Sequence, residues 1–87
     1  MSYIKFAIQY QPINTNIQID SGVDCNSINF INLGTAPVSI DQSVPLQQGQ
    51  QYPIDGNVGE IMQQQMFLIT FTGAGTKSVM VIKKVYV

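Results

Sequence analysis

The sequence predicts an all-β domain, a small antiparallel β-sandwich formed by residues 1–87 as one unit. Two observations carry that prediction. In the stretch NLGTAPVSIDQSVPLQQGQQYPIDGNVGE, Asn32 to Glu60, the pairs Val38/Ile40, Val44/Leu46 and Tyr52/Ile54 alternate with Pro37, Pro45, Gly49, Pro53 and Gly56. A spacing of two is the period at which a strand turns both side chains to one face, and Pro and Gly mark the turns between strands. Nor does any stretch hold a helical period over the roughly 12 residues at which an isolated helix becomes even marginal.

The first strand is expected over Tyr3 to Tyr10, where Ile4, Phe6, Ile8 and Tyr10 share one face and Lys5, Ala7 and Gln9 the other, as in a half-buried antiparallel strand. A corner at Pro12 to Asn14 leads into a second strand, Asn16 to Asp20, with Ile17 and Ile19 inward, and Asp20-Ser21-Gly22 supplies a turn. Over Asn26 to Leu33 the parity changes, since Ile28 and Phe30 share one face and Ile31 and Leu33 the other. That predicts either a β-bulge near Phe30 or a strand covered on both faces. The three short pairs follow. Glu60 to Gln65 is too short for more than a loop or one helical turn. Met66 to Thr72, with Phe67, Ile69 and Phe71 on one face, reads as a central strand. Gly73 to Ser78 is a flexible connection, and the β-branched run Val79 to Val87 is expected to pair back onto Met66 to Thr72 as a closing hairpin. About seven to eight short strands at roughly 8 to 12 residue spacing fit an Ig-like or jelly-roll-like sandwich.

Composition narrows the functional classes. Charged residues make up 10 % of the 87, and Gln and Asn do the solvating that ionised groups usually do. A net charge of -1, with four Lys and no Arg, offers no electrostatic footprint for nucleic acid. It also does little to keep copies apart, which favours self-association or docking onto a larger assembly. Cys25 is the lone cysteine and His is absent, so neither an internal disulfide nor a structural zinc site is available. The N-terminus lacks a charged and apolar leader, and no apolar run approaches membrane-spanning length; a soluble chain without a cleaved signal peptide is expected.

The motifs that invite a chemical reading have simpler explanations. Gly73-Ala74-Gly75-Thr76-Lys77-Ser78 holds Gly, Lys and Ser in phosphate-loop order, but Thr76 stands where Gly must precede Lys, and a strand rather than a helix follows. Asp20 and Asp24 bring two carboxylates into one turn, fewer than the six to eight oxygens calcium takes. For catalysis there are Asp20, Asp24, Asp41, Asp55, Glu60 and Cys25, with no His as base; Cys25 reads as a small buried apolar residue. No catalytic, cofactor-binding or metal-ligating residue is assigned, and no enzyme activity is expected. Tyr3, Tyr10, Tyr52 and Tyr86 suit a sugar-stacking platform in type, but strand-edge tyrosines with wet hydroxyls explain them more simply, and the absence of Trp weakens the sugar reading. Lys83-Lys84 is expected to blunt a sheet edge.

A strand ending in Asn32-Leu33-Gly34, the strand Ala36-Pro37-Val38-Ser39-Ile40-Asp41, the Val44-Pro45-Leu46 step with Gly49, and the Gly56-Asn57-Val58-Gly59-Glu60 turn occur in that order. This central part resembles small all-β virion structural proteins of tailed bacteriophages, in particular the capsid auxiliary and head-fibre-type proteins of crAss-like phages infecting gut Bacteroidetes. The resemblance rests on turn chemistry and strand order. It implies a protein made in the host cytoplasm and carried in the virion, bound in many copies to the major capsid protein or another virion protein, and homo-oligomeric or multicopy. No cofactor, nucleic acid or membrane is implied. A neck, tail or baseplate adaptor and a small carbohydrate-binding module are the alternatives. If either of the two longest strands, Tyr3 to Tyr10 or Val79 to Val87, lies at a sheet edge, it can pair with a strand of another copy or of the capsid protein; Val79, Val81, Val85 and Val87 are the candidate assembly strand, and proline at Val81 or Val85 is then expected to abolish assembly and spare the fold.

Overall fold

The structure, a computed structural model, describes residues 4–87. Among the described residues eight strands form and no helix: β1 (Phe6–Ile13), β2 (Ile17–Asp20), β3 (Cys25–Asn32), β4 (Val38–Ile40), β5 (Val44–Leu46), β6 (Gln51–Ile54), β7 (Met66–Phe71) and β8 (Val79–Tyr86). They make two four-stranded antiparallel sheets, one in the order β1-β8-β3-β6 and the other β2-β7-β4-β5. First pairs with last, second with seventh, third with sixth and fourth with fifth. This is one long hairpin rolled up so that successive strand pairs fall alternately in the two sheets, with β8–β3 and β7–β4 sealing the roll. The expected β-sandwich is therefore of the jelly-roll order.

The short pairs land where their spacing placed them, as β4, β5 and β6. Between β4 and β5 the chain turns through Asp41 and Gln42, both at positive φ (54° and 58°), with Ser43 N–H donating to the Ile40 carbonyl at 3.0 Å. Gln50 N–H donates to the Gln47 carbonyl before β6, with Gly49 at φ 82°. Residues 55–65 form a loop, as the brevity of the Glu60 to Gln65 segment required.

Four expectations are corrected. Pro12 lies inside β1 rather than at a corner, because β1 is an edge strand and a missing N–H costs nothing on the unpaired side. The bulge in β3 falls between Cys25 and Ser27, not near Phe30; it returns Ile28, Phe30 and Asn32 to the inner face, while Ile31 lies half-buried on the outer one. β8 does not fold back on β7, since the two lie in opposite sheets and Gly73 to Ser78 crosses between them. Fourth, β8 sits between β1 and β3, so Val79, Val81, Val85 and Val87 form no assembly edge. Its backbone groups are engaged on both sides. Val79 and Val81 are core residues, and Val87 lies beyond the strand.

The core joins Ile28, Phe30, Val79 and Val81 of the first sheet to Ile19, Val38, Ile40, Leu46, Phe67 and Ile69 of the second. Phe30 is at its centre, tilted against Phe67 at 5.2 Å and stacked with Tyr52 at 6.2 Å between ring centroids. A fully buried Asn32 closes one end. Its Nδ2 donates to the carbonyls of Ala36 and Leu46 and its Oδ1 accepts from Gly34 N–H. Gly34 is required there, because a Cβ would collide with the Thr76 carbonyl. At the bulge, Asn26 Nδ2 donates to the carbonyls of Asn57 and Glu60, both at 2.8 Å, tying the β6–β7 loop to the sheet.

Candidate functional site

The unusual element is β1. Register pairs Ala7, Gln9, Gln11 and Ile13 with Val85, Lys83, Val81 and Val79. Directly opposed residues share a face, and Val79 and Val81 are core residues. The inner face of β1 therefore carries Ala7, Gln9 and Gln11, with Ile13 alone buried, and the outer face carries Phe6, Ile8, Tyr10 and Pro12. The alternation is as the sequence predicted, but the apolar set points away from the core. Ile4 is 61 % exposed, Phe6 53 %, Ile8 43 % and Tyr10 67 %.

The edge of β1 is open as well. Val87 N–H donates to the Lys5 carbonyl at 3.0 Å. Backbone direction alternates along a strand, so Ala7, Gln9, Gln11 and Ile13 also turn their N–H and C=O toward β8, while Phe6, Ile8, Tyr10 and Pro12 turn theirs away. Pro12, which has no N–H to give, stands in the outward set. The other three edge strands are β2 and β6, of four residues each, and β5, of three. Pro45 interrupts β5 and Pro53 interrupts β6. Among the described residues, the long edge available for strand addition is that of β1.

Around β1 the second sheet falls short. Gln9, Tyr10, Gln11, Val81 and Lys83 line an open cavity of about 410 Å³. A second, of about 340 Å³, shares Gln9 and Lys83 and runs to the Ser21–Asp24 turn. Lys83 Nζ crosses between sheets to the Asp20 carbonyl at 2.6 Å, and Lys84 Nζ lies 4.5 Å above the Phe6 ring on the outer face. Neither lysine guards an edge, contrary to expectation, because their strand is interior.

Four of the residues considered for chemistry, Asp20, Asp41, Glu60 and Cys25, are engaged structurally. Asp20 Oδ1 accepts from Gly22 N–H and Oδ2 from Gln64 Nε2, both at 2.9 Å. These hydrogen bonds, the Gly22 one foremost, with Lys83 nearby, hold its carboxyl below the usual aspartate range. Asp41 Oδ1 accepts from Leu68 N–H, and Glu60 Oε1 from Asn57 N–H. Among the described residues no group of three or more His, Cys, Asp or Glu is placed to hold a metal ion. Cys25 is buried, its Sγ 3.2 Å from the Ser27 carbonyl, and burial pushes its thiol pKa up. The Gly73 to Ser78 loop packs onto the Gly34–Ala36 segment, Thr76 N–H donating to Thr35 Oγ1 and Ala36 N–H to the Thr76 carbonyl.

The tyrosines do not assemble into one platform. Tyr52 packs against the core, Tyr10 stands on the outer face of β1, Tyr86 accepts a hydrogen bond from Gly59 N–H, and Tyr3 lies outside the described residues. Sequence reasoning passed over Asn26 and Asn32, whose buried amides organise two loops; an Asn next to a Gly-containing turn, inside an apolar strand, is the signal they offered. No helix among the described residues is long and apolar enough to cross a membrane. Comparisons with protein-family models, curated proteins and solved structures found no match for the chain.

Proposed function

We propose that this chain is a non-enzymatic structural domain that works by burying surface against protein partners, as a capsid auxiliary, decoration or head-fibre component of a tailed-phage virion. The observation that carries the assembly role is β1, an eight-residue edge strand with free backbone groups and an outward apolar face. An exposed, long, apolar edge is a liability for a free monomer and an asset for a docked one. The sparse charge of the chain fits the same use. The virion assignment draws on the resemblance of the central turns and strands. It needs no cofactor, nucleic acid or membrane, and its partner is the major capsid protein or a neighbouring virion protein.

Quantitative mass spectrometry of purified virions from the lysate that carries this reading frame tests it, with this chain counted against the major capsid protein. Hundreds of copies are expected for decoration of the capsid. About a dozen copies would move the chain to the neck, tail or baseplate, and its absence would overturn the virion assignment.

A further inference from the structure

We propose that the open edge of β1 is occupied by β1 of a second copy of this chain, paired antiparallel about a two-fold axis at Ile8. This rests on the multicopy assembly reading above and assigns the edge of β1 to a second copy, leaving the outward apolar face for the virion partner. Three observations select a second copy.

The outward set is self-complementary. With the axis at Ile8, Phe6 faces Tyr10 of the second copy, Ile8 faces its own equivalent, and Tyr10 faces Phe6. Each of these pairs exchanges two main-chain hydrogen bonds, because all three residues turn N–H and C=O outward. Pro12 falls past the end of this core ladder, opposite Ile4, where its carbonyl accepts and its missing N–H is lost only at the periphery. Moving the axis by one residue toward Pro12 brings the proline opposite Phe6 and takes one of the two bonds from each end pair of the ladder; moving it toward the N-terminus leaves Tyr10 paired beyond the end of the strand.

Side chains agree with this register. On the outer face it sets aromatic rings across the seam, Phe6 against Tyr10, with Lys84 already over the Phe6 ring. On the inner face it places Lys5 opposite Gln11 and Ala7 opposite Gln9, so no lysine faces a lysine.

Closure follows from the edges. Each copy has one long open edge, so edge-to-edge pairing consumes it in both and stops at a dimer with two-fold symmetry. The exposed parts of Ile4, Phe6, Ile8 and Tyr10 come to about 400 Å² per copy, on a scale of roughly 200 Å² for an aromatic side chain. That is an upper bound on what the seam covers, because side chains on the outer face of a joined sheet stay partly in water, and it is about half of the 800 Å² per partner of a standard stable interface, which places the dimer in the weak, concentration-dependent class.

Sedimentation equilibrium of the full chain over 1–500 μM, with cysteine cross-linking under oxidised glutathione, tests the proposal. A concentration-dependent dimer is expected, and Ile8→Cys is expected to cross-link to itself, since facing Cα atoms in such a pair lie about 5.5 Å apart. Gln9→Cys is expected not to cross-link, its equivalent being roughly 8 Å away. Ile8→Pro removes only an outward N–H, so it is expected to raise Kd at least tenfold with an unchanged far-ultraviolet spectrum. A monomer throughout the concentration range overturns the proposal, as does a dimer that links through position 9 in place of 8 or tolerates Ile8→Pro. A monomer found in virions removes the dimer and leaves the assembly reading standing; a dimer missing from virions does the reverse.

Discussion

Asn32 and Leu46 are joined across the sandwich: Nδ2 of the buried amide at the end of β3 donates to the Leu46 carbonyl of β5 at 3.0 Å. The second Nδ2 hydrogen goes to the Ala36 carbonyl at 3.0 Å, and Oδ1 accepts from Gly34 N–H at 3.1 Å. Asn32→Ala removes three hydrogen bonds from a dry site, although Gly34 N–H keeps the Ser78 carbonyl as acceptor at 3.1 Å, and is expected to cost about 1–3 kcal/mol. Asn32→Asp, nearly isosteric, is expected to cost more, because it sets a carboxyl oxygen against two carbonyls. Urea denaturation of the three proteins gives the order.

Val81→Pro and Ile8→Pro separate an interior strand from an edge. Val81 N–H faces β1 opposite Gln11, and its side chain is fully buried, so proline removes a ladder bond and core packing together. A loss of about 3 kcal/mol or more is expected, a large fraction of the total stability of a domain of this size. Ile8 N–H faces outward, and its replacement is expected to cost under about 1 kcal/mol in the monomer. Thermal melts at 1 μM, the dilute end of the range in which a weak dimer dissociates, make the comparison; equal losses would overturn the strand order.

Gln42 holds φ at 58° in the turn between β4 and β5 without the freedom of glycine. Gln42→Gly is expected to stabilise by about 0.5–1 kcal/mol, since Asp41 keeps its bonds to Leu68 and only the left-handed strain at position 42 is relieved. The midpoint of urea unfolding should rise with its slope unchanged.

Asp20 gives the fold an acid limb. Its folded pKa is lowered, chiefly by the Gly22 N–H and then by Gln64. In the window between the folded and unfolded values the unfolded chain binds more protons, so stability rises with pH there. The contribution is present above the ordinary aspartate pKa and lost as pH falls through the folded one. Asp20→Asn is expected to flatten the pH dependence of stability below about pH 4, measured by urea titrations from pH 2 to 6.

The strand pairs with apolar spacing were legible because period two survives in short segments: Val38/Ile40, Val44/Leu46 and Tyr52/Ile54 each sit in a strand, and Phe67, Ile69 and Phe71 face the core from the central strand of their sheet. Partner choice was not legible. Val79 to Val87 has the same β-branched character whether it closes a hairpin on β7 or fills the gap between β1 and β3, and nothing local distinguishes the two. The direction of β1 was hidden for a related reason. Alternation separates Phe6, Ile8 and Tyr10 from Ala7, Gln9 and Gln11 but does not say which set meets the core; the register with Val79 and Val81 decides it. Pro12, read as a corner, was a true sign of an edge strand.

The pairing of β1 and β3 with the same late strand dictates when the fold can exist. As the chain is synthesised, the turn between β4 and β5 can close at once, and β3 can find β6. β1 has no partner in its own sheet until Val79–Tyr86 has left the ribosome. Completion therefore waits for the last of the eight strands and is of the slow, non-local kind. Until that strand emerges, β1 with its exposed apolar face has no strand of its own chain to pair with, and the neighbouring chains on the polysome carry the same segment.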